Sequence, residues 1–316
     1  MTSPRVVFVL LAYNQAPWVR QACEAALNQD YQPLDIIFSD DASSDETFAI
    51  MRAVAADYRG PHRVWLNRNP QNLGLIRHVN TLHALADADL LVAAAGDDIS
   101  LPNRTTTLVR AFQDAAGAAH SFHSAVQTID QAGRITCPLL RPHLTDDHPD
   151  PAQWQGRMAT LIGATHAWTR PLFERFGPIT EPDAYEDLVL AYRAMLLGGL
   201  RYIDTPLVQY REGVGMSSPA HRDPVQALQR RLRLEPAVLR QRQQDCLTLG
   251  RKSLARTLGR EAAGRQLMLG LELGTQRPGA RLIPALRKGL WRYWLRGCRK
   301  RLKHWMRARK RVSGGA

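Results

Sequence analysis

The chain has 316 residues, 45% of them hydrophobic and 22% charged, about two domains' worth of chain with a composition that excludes disordered, collagenous and fibrous classes. Its net charge of +13 is unevenly spread: through residue 220 there are 17 arginines, no lysine and 24 acidic residues, a net −7, whereas 25 basic and 5 acidic residues beyond that point give +20. A mildly acidic domain therefore carries a strongly cationic extension, which points to an anionic partner for the extension alone, either a membrane surface or nucleic acid.

Hydrophobic runs at 6–12, 34–39, 63–66 and 90–95 alternate with amphipathic stretches at 18–28, 45–58, 76–85 and 103–116. This rhythm predicts an α/β fold, a mostly parallel central sheet with helices on both faces. The first run leads into Tyr13-Asn14 rather than a small-residue cleavage site, so it reads as a buried strand and not a signal peptide. No apolar run approaches the roughly 18 residues that span a bilayer. Ser43 followed by Glu46 has the spacing of a capping box at the second helix. From about 119 to 220 the same domain continues with strand-like runs at 121–129, 201–203 and 207–210 and a helix at 185–197. Pro138, Pro142, Pro149 and Pro151 around Thr145-Asp146-Asp147 predict an exposed loop, a candidate substrate flap. Ser217-Ser218-Pro219 and Pro224 mark the boundary between a domain at 1–220 and a helical C-terminal extension at 221–316, interrupted near Pro278-Gly279 and at Pro284.

Cys23, Cys137, Cys246 and Cys298 are scattered with no CxxC or Cys/His cluster, which indicates neither zinc nor disulfides and fits a reducing, cytoplasmic compartment. His78, His120, His123 and His166 show no metal-binding spacing and read as packed or surface residues.

Four polar clusters fall at predicted strand ends: Ala12-Tyr13-Asn14; Asp40-Asp41-Ala42-Ser43-Ser44-Asp45; Asn72-Leu73-Gly74 with Arg77 and Asn80 beyond; and Gly96-Asp97-Asp98. Singly, each is ordinary turn and capping chemistry. Gathered on the sheet edge where open α/β folds bind ligands, they compose a site. Carboxylates without His or Cys suit a hard divalent cation, Mg or Mn, of the kind that bridges phosphates.

This ordered series resembles the family 2 glycosyltransferases, nucleotide-sugar-dependent enzymes of the GT-A fold. Tyr13-Asn14, Gln29-Asp30-Tyr31, the Asp40 to Asp45 cluster, Asn72-Leu73-Gly74 and Asp97-Asp98 with Pro102 match in order over about 100 residues. More thinly, Gly163-Ala164, Arg170-Pro171-Leu172-Phe173, Phe176-Gly177, Glu186-Asp187-Leu188 and Tyr210-Arg211 with Gly213, Gly215 and Ser217 carry the likeness to about residue 218.

The resemblance implies inverting sugar transfer from a nucleotide-sugar donor. It also implies that Ala12, Tyr13, Asn14, Asp40, Asp41, Asn72, Arg77, Asp97 and Asp98 bind the donor, with Asp40 or Asp41 on the nucleoside. Asp97 would ligate the cation, Asp187 would be the general base, and Glu186 would position it. Inverting attack needs a carboxylate at the acceptor hydroxyl and a cation at the leaving diphosphate, which Asp187 and Asp97 supply. Read alone, Glu186-Asp187 would complement a helix N-terminus. Ala95 stands where the family has its first acid, and Glu212-Gly213-Val214-Gly215 replaces a closing loop that in many relatives carries His. These departures keep open a non-catalytic reading, a nucleotide-binding or scaffold member of a polysaccharide assembly complex.

In the extension, Leu290, Trp291, Trp294, Leu295, Cys298, Leu302, Trp305 and Met306 recur at helical spacing among Arg and Lys residues from Arg287 onward. A basic amphipathic helix of this kind suits an anionic lipid interface, and the acidic first 220 residues argue against a nucleic-acid partner. The expected location is the cytoplasm, peripheral on the inner face of the cytoplasmic membrane, with a glycan or lipid-linked acceptor.

Overall fold

A computed structural model describes residues 3–215 and 223–313, without the side chains of His304 and 307–313. Ser217-Ser218-Pro219, read as the domain boundary, lie outside the described residues. The chain divides into two compact units, 1–220 and 221–316.

In the first unit the apolar run Val6–Ala12 forms β1, and all of it but Leu11 is buried, as a strand covered on both faces requires. It runs parallel to β2 (Asp35–Asp40), which in turn pairs in parallel with β3 (Arg63–Arg68); on its other side it is parallel to β4 (Leu90–Ala95). The intervening helices are α1 (Val19–Leu27), α2 (Thr47–Asp57) and α3 (Leu75–Leu85), with α4 (Arg104–Ala115) beyond. α1 buries Val19, Ala22, Cys23 and Ala26, one stripe at helical spacing, in a core that includes Phe8, Leu10, Ile36, Phe38, Met51 and Leu90.

Past β4 the sheet changes character. It is completed by β5 (Ile99–Ser100), β6 (Ser121–Ile129), β7 (Ile135–Leu140), β8 (Ala167–Thr169) and β9 (Leu200–Arg211), in the order β3-β2-β1-β4-β8-β6-β9-β5 with β7 on β6. β8 is antiparallel to both β4 and β6, while β6 and β9 are parallel. Between these strands lie α5 (Pro151–Trp154), α6 (Pro171–Glu174) and α7 (Glu186–Leu197).

Three local expectations are corrected. The capping box is not formed: α2 starts at Thr47, Ser43 Oγ accepts from the Asn14 amide instead, and Asp45 Oδ1 takes the Thr47 amide at 3.0 Å. The runs at 201–203 and 207–210 are one strand, because the pairing with β6 steps from Ile203 to Pro206 through a bulge, the place where a proline without an amide proton is tolerated. The proline-rich loop after β7 is anchored to β9 rather than free as a flap: Leu144 is fully buried, and Asp147 pairs with Arg201 and accepts from the Tyr202 amide.

The second unit is helical: α8 (Pro224–Thr248), α9 (Lys252–Leu273), α10 (Pro278–Arg287) and α11 (Trp291–Ser313). Pro284 lies inside α10, and the basic stretch read as helical from Arg287 onward is broken between Arg287 and Trp291. Leu228 packs with Met268 and Leu269. Leu267, Leu271, Ala285 and Leu290 form a small core that Tyr293, Trp294 and Cys298 cover. Among the described residues, no helix is long and apolar enough to cross a membrane.

Candidate active site

The parallel ladder β2-β1-β4 carries its C-terminal ends to one rim. The loops after β1 and β2 are tied together there: Asp41 N donates to Ala12 O, Asn14 N donates to Ser43 Oγ at 2.9 Å, and Asn14 Oδ1 accepts from Ser44 N at 2.9 Å. Tyr13 stands exposed between them.

The two predicted nucleoside carboxylates differ. Asp41 receives Asn69 Nδ2 at 2.7 Å and Leu73 N at 2.9 Å on Oδ1, and Gly74 N at 2.9 Å on Oδ2. It is thereby the joint between the loops after β2 and β3, and Asn72 assists by accepting from the same Gly74 amide. Asp40, also fully buried, accepts from Ser43 N and lies 3.2 Å from Arg68 Nε, but its Oδ1 has no partner. Such an orphaned acceptor is costly unless a water or ligand donor meets it. Arg77 is exposed on the first turns of α3. Behind the rim, buried His78 meets Ser39 Oγ at 2.6 Å; burial lowers its pKa against the pull of Asp41 and Asp40, so it is neutral near pH 7.

At the end of β4, Asp97 and Asp98 are both buried. Burial raises the pKa of each, and the charge of Asp97 raises that of Asp98 further. Asp98 Oδ1 takes the Arg211 amide at 2.7 Å. Arg211, itself buried, donates through Nε to Asp97 O, through Nη1 to Asp130 O and Gln131 O, and through Nη2 to Gln21 Oε1. It is an internal cation that locks the acidic turn to the end of β9. The Gln15 side chain bonds the Asp97 carboxylate. Beyond Arg211 the chain folds back until a Cβ at Gly215, where φ is +74°, would stand 2.6 Å from Asp97 Oδ2, so only glycine fits.

The third element arrives from the antiparallel part of the sheet. Because β8 runs opposite to β4, its N-terminal flank points to the rim that carries Asp97, with Ala93 N donating to His166 O. That flank is a 3-10 turn at Gly163–Thr165. A Cβ on Gly163 would lie 3.1 Å from Glu186 Oε1 and 3.6 Å from Asp187 Oδ2, so the turn presses on the first turn of α7. Burial, and then the charge of Asp187, pushes the Glu186 pKa up to about 8. Asp187 Oδ1 accepts from Leu188 N.

Arg68, Gln15, Arg211 and Gly163 were not assigned these roles by motif reasoning. Arg68 was within reach of it, since it sits opposite Asp40 in the β2/β3 register. Arg211 was named as a motif member, but its contacts, like those of Gln15, are long-range and leave no local signature.

Among the described residues, no group of three His, Cys, Asp or Glu gathers to hold a metal ion. With Ala95 at the first acidic position and Asp98 bonded to Arg211, the residues at this turn would offer a cation only the Asp97 carboxylate. One carboxylate fits a cation whose other ligands are diphosphate oxygens and water, not one held by protein alone.

A mostly parallel sheet that reverses after its fourth strand, with acidic loops on the C-terminal rim, is the GT-A architecture. The same fold is seen in S. aureus TarS residues 1–349 in complex with UDP-GlcNAc (TM-score 0.57, 15% identity, 92% of this chain and 89% of that one). It is seen again in the mannosyltransferase PcManGT from Pyrobaculum calidifontis in complex with GDP-Man and Mn2+ (TM-score 0.53, 18% identity, 96% and 88%). The model of glycosyl transferase family 2 matches residues 7–165, and the chain belongs to that family. EpsE of Bacillus subtilis (strain 168), a glycosyltransferase by name, is 32% identical over 103 residues, 33% of this chain and 36% of EpsE. The uncharacterized protein MT1568 of Mycobacterium tuberculosis is 32% identical over 111 residues, 35% of this chain and 33% of that protein. The matches thus span about a third of these two relatives.

Proposed function

We propose that this chain is an inverting glycosyltransferase that moves a sugar from a nucleoside-diphosphate donor to a glycan or lipid-linked acceptor in polysaccharide or glycolipid synthesis. Residues 1–220 would be its catalytic domain, and the cationic second unit would hold it to the cytoplasmic face of a membrane. The observation that carries the reading is that the turn before β8, against which Glu186-Asp187 lie through Gly163, stands at the same end of the sheet as Asp97, closed over by Gly215.

The residues divide the work. Asp40, whose buried Oδ1 lacks a partner while both Asp41 oxygens are engaged, is the acceptor on the nucleoside side, reached directly or through a water. Ala12, Tyr13 and Asn14 line that side, while Asn72 and Arg77 flank the nucleotide. Asp187 takes the acceptor proton as that oxygen attacks the anomeric carbon, the bond to the diphosphate oxygen breaks, and the nucleoside diphosphate leaves. Glu186, protonated at neutral pH, places Asp187 without adding a second negative charge. Asp97 would hold Mg or Mn, whose charge, when the ion is bound, offsets that of the diphosphate.

Titration of nucleoside diphosphates with and without Mn tests the assignment. Asp97→Ala is expected to lose the metal-dependent part of binding, about tenfold or more. Asp98→Ala, which strands the Arg211 amide, is expected instead to cost roughly 1–3 kcal/mol of stability. Equal, metal-independent binding by wild type and Asp97→Ala would refute the metal role. Ala95 favours a second reading, a nucleotide-binding subunit without turnover, which binding without transfer would establish.

A further inference from the structure

α11 buries one part of its apolar stripe and leaves another part exposed. Leu290, Tyr293, Trp294 and Cys298 pack with α9 and α10 residues, and Trp294 Nε1 donates to Pro278 O at 2.9 Å. Gly297 lies so close to α9 that a Cβ there would be 2.8 Å from Met268 O. These contacts fix the rotation of α11 within its unit. Among the exposed residues of the same helix are four large apolar ones: Trp291 is 44% exposed, Leu302 54%, Trp305 52% and Met306 44%. Their spacing of 11, 14 and 15 residues from Trp291 places them on one stripe of the helix. On α10, Ile283 and Leu286, three apart, are 61% and 56% exposed.

Beside this stripe stand the exposed Arg292, Arg296, Arg299 and Lys303. After Glu272 the sequence holds 14 Lys or Arg and no acid. Among the described residues, Lys300 is engaged internally with Glu272 and Arg301 with Gln276 O.

We infer that this stripe, Trp291, Leu302, Trp305 and Met306 with their flanking arginines, is the membrane-docking surface, and that its partner is an anionic lipid bilayer. This deepens the proposed placement at a membrane and rests on it. It also revises the sequence reading, because Trp294 belongs to the unit's own packing. A folded protein surface would have to offer a complementary apolar groove rimmed with acid, whereas a bilayer interface supplies acyl chains beneath a sheet of anionic headgroups and fits a convex helix lying in its plane.

The test is co-sedimentation of the full chain with phosphatidylcholine vesicles, with and without phosphatidylglycerol. Binding is expected only to the anionic vesicles. It should weaken as salt rises above about 0.1 M and fall at least tenfold in Trp291→Ala/Trp305→Ala, with circular dichroism unchanged. Arg292→Gln/Arg299→Gln/Lys303→Gln, which leaves the apolar stripe intact, should lower affinity and its salt dependence together. No vesicle binding, equal binding to neutral vesicles, or binding indifferent to the tryptophan pair overturns the inference. So does a dimer, or binding to RNA, that the tryptophan pair abolishes. Nucleotide binding by the same protein is read alongside: if it persists without vesicle binding, the docking surface fails and the transferase reading stands, and the reverse result separates them the other way.

Discussion

Glu186 and Asp187 are neighbours on the first turn of α7, where burial, and then the charge of Asp187, disfavours ionisation of Glu186. With its pKa near 8, Glu186 keeps its proton at neutral pH. Glu186→Gln, which mimics that form, should keep turnover at pH 7 within about tenfold of wild type and remove any change in rate centred near pH 8. Stability gives an independent sign. Between the unfolded value near 4.5 and the folded value near 8, the folded protein binds the extra proton, so what this group contributes is complete below about 4.5 and is lost as pH rises through 8. Glu186→Gln should therefore gain in Tm over wild type at pH 9 relative to pH 5. A larger gain at pH 5 would show that Glu186 is ionised in the fold.

The catalytic elements belong to two halves of the sheet with different histories of legibility. β1 to β4 and their helices could be read from alternating hydrophobicity because each strand is a local apolar run covered on both faces. The antiparallel insertion of β8 between β4 and β6 could not, since three residues carry no periodicity and their place depends on non-local pairing. That insertion delivers Gly163 to Glu186. Asp40, Asp97 and Asp187 were legible as motif members, whereas the engagement of both Asp41 oxygens required the loop contacts themselves. Gly163→Val would push its side chain into Glu186. The expected result is a kcat at least tenfold lower with nucleotide affinity unchanged, measured by steady-state kinetics and titration; equal loss of both would mean that the turn also shapes the donor side.

Across the whole molecule, charge and chemistry are separated: every residue assigned to the donor, cation or acceptor lies in the −7 part, and the +20 part carries the exposed stripe. Composition revealed the division, but helical spacing alone did not distinguish the packed Trp294 from the exposed Trp291 and Trp305, because that depends on how far along α11 the packing against α9 and α10 extends. If this rim transfers sugar with Asp187 as base, the full chain should transfer sugar from at least one of a panel of labelled nucleotide sugars to a membrane fraction, and Asp187→Asn should do so slower by about two orders of magnitude or more while nucleotide binding is retained. Transfer by Asp187→Asn at the wild-type rate would refute that role.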